Sequence, residues 1–244
     1  ATKVAVYVML RMVFTVFGFS FIENTPTDEL FLLLCVTGIL SMSFYAIYQK
    51  DSKRLLAYSS VAQIAYMMLG IGLGSVLGVT ATLVHLFNHA LMKGALFMAI
   101  GALIYRVGSS RLEHFSGLGK QMPWTFAAIV IGGLSLIGVP GTAGFISKWY
   151  LVLAAIEQQH WLIVGVILMG SLLAVAYVWK MIEVLYFNAT DEREQQNTAV
   201  KEAPLMMLIP MWVLVLANIY FGFNTELTVG TAEQAVKLLM PGAN

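Results

Sequence analysis

Residues 76–105 of the chain read VLGVTATLVHLFNHALMKGALFMAIGALIY. This stretch is longer than the roughly 20 mostly apolar residues that a membrane-spanning helix needs. Its only Asp, Glu, Lys or Arg residue is Lys93. The run therefore predicts one long transmembrane helix that contains a single lysine, Lys93.

The composition of the whole chain agrees with this prediction. Of its 244 residues, 59% are hydrophobic and 11% are charged, whereas a soluble domain has about 45–50% apolar and about 25% charged residues. The formal net charge is +1, so no excess charge would attract a polyanion. These values exclude a soluble enzyme, a disordered chain and a nucleic-acid binder. The single cysteine, Cys35, excludes a disulfide framework and a cysteine-based zinc or iron–sulfur site.

Apolar runs on both sides of this stretch predict an all-α, polytopic membrane helical bundle of about seven spans, one of them a broken helix. The runs are too long for barrel strands, which alternate over about 10 residues. We treat 1–244 as a single transmembrane domain, whose tail has amphipathic spacing at 231–239 that predicts an interfacial helix. The predicted spans are 3–19, 29–48, 55–73, 76–105, 124–137 resuming at 143–156, 161–187 and 204–223.

The lysines and arginines between the spans predict the orientation of the bundle, because cytoplasmic loops carry an excess of them. The predicted cytoplasmic loops are 49–54, 106–121 and 188–203, and the C-terminus is then outside, as in a bacterial inner membrane. The basic residues of these loops are Lys50, Lys53, Arg54, Arg106, Arg111, Lys120, Arg193 and Lys201. The other face has only Lys237.

Three ionisable residues follow one another on a single face of the long predicted helix. His85, His89 and Lys93 are spaced by four residues, which gives a rise of about 6 Å per step. Histidine titrates near neutral pH and a buried lysine can lose its charge, so water-bridged groups of this kind can conduct protons. Two alternatives stay open, a metal site and core histidines bonded to carbonyls. A lysine one turn further on would repel a metal ion, and no carboxylate lies nearby in the sequence.

A helix-breaking motif precedes a further lysine in the fifth predicted span. Pro140 removes a backbone donor, and Gly138, Gly141 and Gly144 permit unwinding. A broken helix at membrane depth persists where it lines a cavity or is buried in protein. The motif therefore predicts that Lys148 lies inside the membrane beside the break. The alternative is a simple proline kink, with Lys148 reaching the membrane interface.

Other polar residues inside the spans support less specific predictions. Ser59, Gln63 and Tyr66 share a helix face and could hold water beside the long helix, and hydrogen bonding between helices is an equally good account. Hydropathy alone predicts an interfacial position for Lys3. The spacing of Lys180 and Glu183 predicts an interfacial ion pair.

In their order along the chain, four stretches resemble the antiporter-like subunits that are shared by Mrp-type multisubunit cation/proton antiporters, respiratory complex I and membrane-bound hydrogenases. The match covers most of the chain, so it is more specific than any one motif. The four stretches are 2–7 (TKVAVY), 51–64 (DSKRLLAYSSVAQI), 85–97 (HLFNHALMKGALF) and 138–148 (GVPGTAGFISK).

The resemblance implies a fold and a role for each lysine. It implies that 29–187 form the second of two inverted five-helix repeats, with a break near 138–144. The segment 1–20 then precedes this repeat, and 204–223 and 224–244 form a closing helix and a tail. It assigns Lys3 to the centre of the path, Lys93 with its histidines to the mid-membrane relay, and Lys148 to the outer exit. The chain begins within a helix, so we expect a fragment or one half of a split subunit.

The function implied by the resemblance is H⁺ translocation along a Lys/His axis in an Mrp-type antiporter. Lys148 and the short tail favour the D-type subunit. The alternatives are an antiporter-like subunit of complex I (a translocase-coupled NADH dehydrogenase) or of a hydrogenase, a purely structural membrane module, and a quinone-binding redox subunit. We expect no cofactor, metal site or catalytic chemistry in this chain. The expected partners are the bilayer, H⁺ with Na⁺ as candidate counter-ion, and further membrane subunits that include the missing N-terminal half.

Overall fold

The structure is a computed structural model that describes residues 2–18, 27–187 and 200–240. Within these ranges it contains helices and an isolated bridge between Asp51 and Arg111, but no β-strand. The helices are α1 (Thr2–Arg11, continued by a π-helical turn, Met12–Phe17), α2 (Thr27–Ile47), α3 (Ser52–Gly72), α4 (Val76–Val107), a 3₁₀ turn (Leu112–Phe115), α5 (Leu118–Gln121), α6 (Pro123–Ile137), α7 (Ala143–Glu157), α8 (Trp161–Ile182, continued by a π-helical turn, Glu183–Phe187), α9 (Leu205–Phe223) and α10 (Glu226–Leu239).

Five helices of the described chain are long and apolar enough to cross a membrane: α2, α3, α4, α9, and α8 with its π-helical turn. The predicted fifth span is present as two half-helices, α6 and α7, of 15 residues each. The predicted first span is α1 with its π-helical turn, and the end of that prediction lies outside the described residues. The structure is thus the predicted all-α membrane bundle with one broken helix.

Helix α4 is the centre of the bundle and packs against α3, α6, α7, α9 and α10. It begins where the Ser75 hydroxyl accepts a hydrogen bond from the Gly78 backbone N–H, and it ends at Gly108, whose φ is +76°. Between these caps no proline interrupts its 32 residues. The whole row of ionisable residues on this helix is therefore placed inside the bundle.

Close packing around α6 depends on two adjacent glycines. A Cβ on Gly132 would lie 2.9 Å from Leu96 Cγ of α4, and a Cβ on Gly133 would lie 2.6 Å from Val178 Cγ1 of α8. Small residues let membrane helices approach each other in this way. The first half of the broken helix is consequently held between α4 and α8.

The predicted cytoplasmic loops 49–54 and 106–121 meet at one end of the bundle, which we call the basic end. The Ser52 backbone N–H donates to Ser110 O at 2.9 Å, and Asp51 caps α3 by accepting from the backbone N–H groups of Lys53 and Arg54. Burial raises the Asp51 pKa, but the hydrogen bonds from Ser110, Arg54 and Lys53 and the charge of Arg54 lower it further, so its pKa lies below the usual value. Most of the third predicted loop, 188–203, lies outside the described residues.

Lys180 lies at the basic end, but its partners differ from the prediction. Its Nζ donates to Ile47 O at 2.7 Å and to Gln49 O at 2.9 Å. The ion pairs among the described residues do not include Lys180 with Glu183, so that prediction was wrong. The carbonyls at the C-terminal end of α2 attract the ammonium, so Lys180 is held by that end of α2 and not by its neighbour one turn further along α8.

The tail helix α10 begins at Glu226, earlier than the predicted segment 231–239. The reason is an apolar stripe, Val229, Ala232 and Val236, which extends toward the start of the helix and is buried. This stripe packs against the bundle beside α4. The amphipathic pattern in the tail thus serves packing against the long central helix.

Glu202 provides a testable anchor at the basic end. Its carboxylate accepts from the Trp124 backbone N–H at 2.9 Å and from the Thr125 hydroxyl at 2.6 Å, at the start of α6, where Met122 offers no side-chain cap. Loss of a helix cap costs about 1 kcal/mol. We expect Glu202→Ala to lower the thermal unfolding temperature of the detergent-purified protein, and Glu233→Ala, on the exposed face of α10, to leave it unchanged. Equal unfolding temperatures for the two variants would show that Glu202 does not stabilise the start of α6.

Candidate functional site

The three ionisable residues of α4 are all buried inside the bundle. The exposed fractions are 3% for His85, 1% for His89 and 2% for Lys93. The two histidine rings lie parallel, with an interplanar angle of 15° and 6.0 Å between their centroids. The row predicted from the spacing of four residues is therefore a buried column of polar groups along α4.

Lys93 is held by α3 at one end of this column. Its Nζ donates to Leu56 O at 3.0 Å and to the Ser59 hydroxyl oxygen. Both acceptors are neutral, and no carboxylate pairs with this ammonium among the described residues. Lys93 is therefore a buried amine that, within the described part of the chain, is held by neutral oxygens and not by a counter-charge.

The other end of the column reaches the broken helix. His85 Nδ1 lies 2.7 Å from the Ser147 hydroxyl oxygen on α7, and Lys148 is the next residue of that helix. The Tyr66 ring lies between the two groups, with its centroid 6.3 Å from that of His85 and 5.0 Å from Lys148 Nζ. The column on α4 thus continues onto α7 through Ser147, Tyr66 and Lys148.

The break lies where the Gly-Val-Pro-Gly motif predicts it. Helix α6 ends at Ile137 and α7 begins at Ala143. Gly138 and Gly141 have φ values of +93° and +85°, which residues with a side chain rarely adopt. Pro140 lies between them in the non-helical turn. Gly144, which the sequence also associates with the break, lies just inside α7.

Lys148 closes the C-terminal end of the first half-helix. Its Nζ donates to Leu136 O at 3.0 Å, to Ile137 O at 2.8 Å and to the Ser171 hydroxyl oxygen at 3.0 Å. Its side chain is buried, with 6% exposed. Free carbonyls at the end of a helix carry partial negative charge and therefore attract a cation. The structure thus places Lys148 in the protein interior, against the break.

The supporting polar residues of α3 divide between two roles. Ser59 contacts Lys93, as described. Tyr66 donates from its hydroxyl to Ile167 O at 3.2 Å, which is a hydrogen bond between helices. Gln63 is buried, and its Oε1 has no partner among the described residues.

Lys3 lies on α1, which packs beside α3 and α4. Its side chain is only partly buried, but its ammonium is close enough to interact electrostatically with His89 and Lys93. Hydropathy alone predicts an interfacial lysine, whereas the structure places Lys3 near the start of the column. The resemblance implies a role at the centre of the path, and that role of Lys3 stays a prediction.

Several polar atoms around the column have no protein partner among the described residues. They are buried ring nitrogens, an amide oxygen and a phenol oxygen. Water binds at such positions in protein interiors, because an unsatisfied buried polar group is costly. These atoms are His85 Nε2, both ring nitrogens of His89, Gln63 Oε1 and Tyr177 Oη.

The alternative of a metal site receives no support from the geometry. Among the described residues, no group of three or more His, Cys, Asp and Glu side chains converges as a metal site requires. His85 has a serine hydroxyl as partner, and the next residue on its helix face after His89 is Lys93. The two histidines therefore form part of a column of neutral and cationic groups.

Sequence reasoning missed four residues that contact this site. Ser147 and Ser171 are small hydroxyl residues on apolar helices, and no local pattern distinguishes them. Tyr177 was overlooked among the aromatics of the sixth predicted span. Asn218 was detectable, because it is the only Asn, Gln, Asp or Glu between residues 205 and 223.

Comparison with known proteins agrees with the fold and the motifs. The family model described as NADH:quinone oxidoreductase/Mrp antiporter, TM, matches residues 1–174. The chain is 37% identical to NADH-quinone oxidoreductase subunit N of Desulforudis audaxviator, over 98% of this chain and 50% of the relative. It is 31% identical to the D-type subunit of the Na⁺/H⁺ antiporter of Alkalihalophilus pseudofirmus, over 92% of this chain and 44% of the relative.

Among solved structures, a chain of the Mrp complex from Dietzia sp. DQ12-45-1b has the same fold. The TM-score is 0.88 at 22% identity, and the match covers 99% of this chain and 52% of that chain. The chain thus spans about half the length of the relatives it matches. On the match of the family model, the chain belongs to the transmembrane family of NADH:quinone oxidoreductase and Mrp antiporter subunits.

Proposed function

We propose that the chain is a proton-translocating subunit of an Mrp-type multisubunit cation/proton antiporter. Protons pass along Lys3, Lys93, His89, His85 and Lys148. The observation that carries the proposal is the buried column on α4, which continues through Ser147 to Lys148 at the broken helix.

The energetics of the column support conduction over scaffolding. Ionisable groups at membrane depth are costly and mark ion paths by default. Here two amines are buried, and within the described part of the chain their hydrogen-bond acceptors are all neutral oxygens. A purely structural module gains nothing from buried groups that need water, and apolar side chains of similar volume would pack better.

Charge repulsion gives the column a direction. A proton that arrives on Lys3 disfavours a second positive charge on Lys93, because the two amines interact electrostatically. The proton on Lys93 then moves through His89 and His85 toward Lys148. Lys148 in turn interacts electrostatically with His85. A positive charge that arrives on His85 therefore favours release of the proton from Lys148 to the outer exit.

The relatives support a second candidate, an antiporter-like subunit of a respiratory complex. The observation in its favour is the 37% identity to NADH-quinone oxidoreductase subunit N. The column would carry out the same proton transfer in either complex, but the driving reaction would differ. If the chain copurifies with hydrophilic redox subunits, the respiratory assignment is correct, and if it copurifies only with membrane subunits, the Mrp assignment is correct.

The quinone-binding alternative is less well supported by the surface beside Lys148. A surface groove runs between α7 and α8, and Phe145, Trp149 and Leu172 are among its apolar walls. Lys148 is the cation in this groove, but all three of its N–H donors are engaged within the protein. A quinone headgroup would have to displace one of these bonds.

The setting of the subunit follows from the same proposal. The basic end faces the cytoplasm of a bacterial cell and the C-terminus faces outward. Residues 29–187 act as the five-helix repeat, and 1–20, 204–223 and 224–244 as the preceding helix, the closing helix and the tail. The partners are other membrane subunits, and Na⁺ is the candidate counter-ion. Neither a cofactor nor a resident metal is part of the proposal.

A test of the proposal makes the middle of the column apolar. In the complete complex in proteoliposomes, we expect His85→Phe/His89→Phe to reduce proton transport at least about tenfold, because the titratable relay is removed. Proton movement is followed with a pH-sensitive dye, and assembly by copurification of the subunits. Ala90→Phe, which adds a ring on the exposed side of the same helix, is the matched control. Unchanged transport in an assembled double variant would favour the structural module.

A further inference from the structure

The closing helix α9 contains a fully buried asparagine that the proposed proton path does not use. Asn218 has no exposed surface. Its Oδ1 accepts a hydrogen bond from the Ser135 hydroxyl on α6 at 2.9 Å. The Ser135 oxygen in turn accepts from the Gly144 backbone N–H on α7 at 3.1 Å. A single chain of hydrogen bonds therefore joins α9 to both halves of the broken helix.

A second asparagine holds the same turn from the opposite element. Asn88 on α4 donates from Nδ2 to Ala143 O at 2.7 Å and is also fully buried. Asn88 thus holds the carbonyl of Ala143, and Ser135, itself bonded to Asn218, holds the N–H of Gly144; both groups belong to one peptide unit in the first turn of α7. We call Asn88, Ser135 and Asn218 the break clamp.

The backbone around the break clamp is packed without spare room. A Cβ on Gly144 would clash with the Ser135 carbonyl oxygen, and a Cβ on Gly222 of α9 would lie 2.6 Å from Gly141 O. Ser135 is directly followed by Leu136 and Ile137, the two residues whose carbonyls accept from Lys148. The orientation of this last turn of α6 therefore determines where the Lys148 acceptors lie.

We infer that Asn218 is a positioning residue that acts through Ser135 to aim the end of α6 at Lys148. The inference rests on the proposed function, since Lys148 must be placed to receive and release protons. Each amide of the clamp also has one group without a partner among the described residues, an acceptor on Asn88 and a donor on Asn218.

The test compares three variants on α9 in the complete complex. Asn218→Leu removes the acceptor, Asn218→Asp retains it at the same position, and Leu216→Ala changes an exposed residue of the same helix as a control. Hydrogen exchange is measured by mass spectrometry on peptides that cover 134–150 and on peptides from α2 and α3. Proton transport is measured in parallel.

We expect Asn218→Leu to speed exchange only in 134–150 and to reduce transport about tenfold, the effect of one lost positioning hydrogen bond. Asn218→Asp should recover both, and Leu216→Ala should match the wild type. Unchanged exchange in 134–150, or faster exchange in all helices, would overturn the inference. If Asn218→Leu fails to assemble, Ser135→Ala removes the same bond at lower volume and decides the matter by the same criteria. Hydrogen exchange is measured independently of transport. The positioning role of Asn218 can therefore be tested even if the proposed proton path is wrong.

Discussion

Replacing Lys148 by alanine in the complete complex should abolish proton transport and leave the assembly intact. The reason is that Lys148 is the group at which the buried column meets the broken helix, and its ammonium is the only cation that contacts the Leu136 and Ile137 carbonyls among the described residues. The measurement is dye-reported proton movement in proteoliposomes, together with copurification of the subunits.

Two companion variants make this result specific. Lys148→Arg keeps the charge and the donors, but a guanidinium does not release its proton in proteins, so the complex should assemble and stay inactive. Lys180→Ala is the matched control, because Lys180 also binds carbonyls at the end of a helix but lies at the basic end. We expect a mild loss for that control. Full transport in the arginine variant would show that proton release from position 148 is not required.

Replacing Lys93 by alanine should also abolish transport. Lys93 is buried among α3 and α4 and has a serine hydroxyl and a carbonyl as its acceptors, so no other amine can take its place in the column. The variant removes a titratable group and leaves an apolar gap between Lys3 and His89. Transport and assembly are measured as for Lys148.

The control for Lys93 is its neighbour Met92, which is buried to the same degree on the same helix. Met92→Leu conserves volume and should leave transport near the wild-type rate. Transport that survives in Lys93→Ala, with assembly verified, would remove Lys93 from the path. Loss of transport in both variants would point to packing of α4 as the cause.

The sequence was most informative where local pattern and structure coincide. The long apolar run predicted α4 and its buried row, because spacing along a helix fixes which side chains share a face. The Gly-Val-Pro-Gly motif predicted the break, since proline and glycine act on their own backbone. Both features depend only on neighbouring residues.

Features that depend on distant residues were not predictable in this way. The bond between His85 and Ser147 joins residues 62 positions apart, and the bond between Ser135 and Asn218 joins residues 83 apart. Lys180 was assigned to Glu183 because that partner is near in sequence, whereas its actual acceptors are Ile47, at the end of α2, and Gln49 just beyond it. The position of Lys3 beside the column followed from the family resemblance, and hydropathy alone would have placed it at the interface.

The contact between Gly222 and Gly141 has a consequence for how the protein can move. The backbones of α9 and the break approach so closely that a Cβ on Gly222 would meet the Gly141 carbonyl oxygen. We therefore expect any movement of α9 relative to the break to disturb this backbone contact directly. Under the proposed function, we expect protons to move through side-chain rearrangements at residues such as Lys148, with the helices of the bundle kept in place.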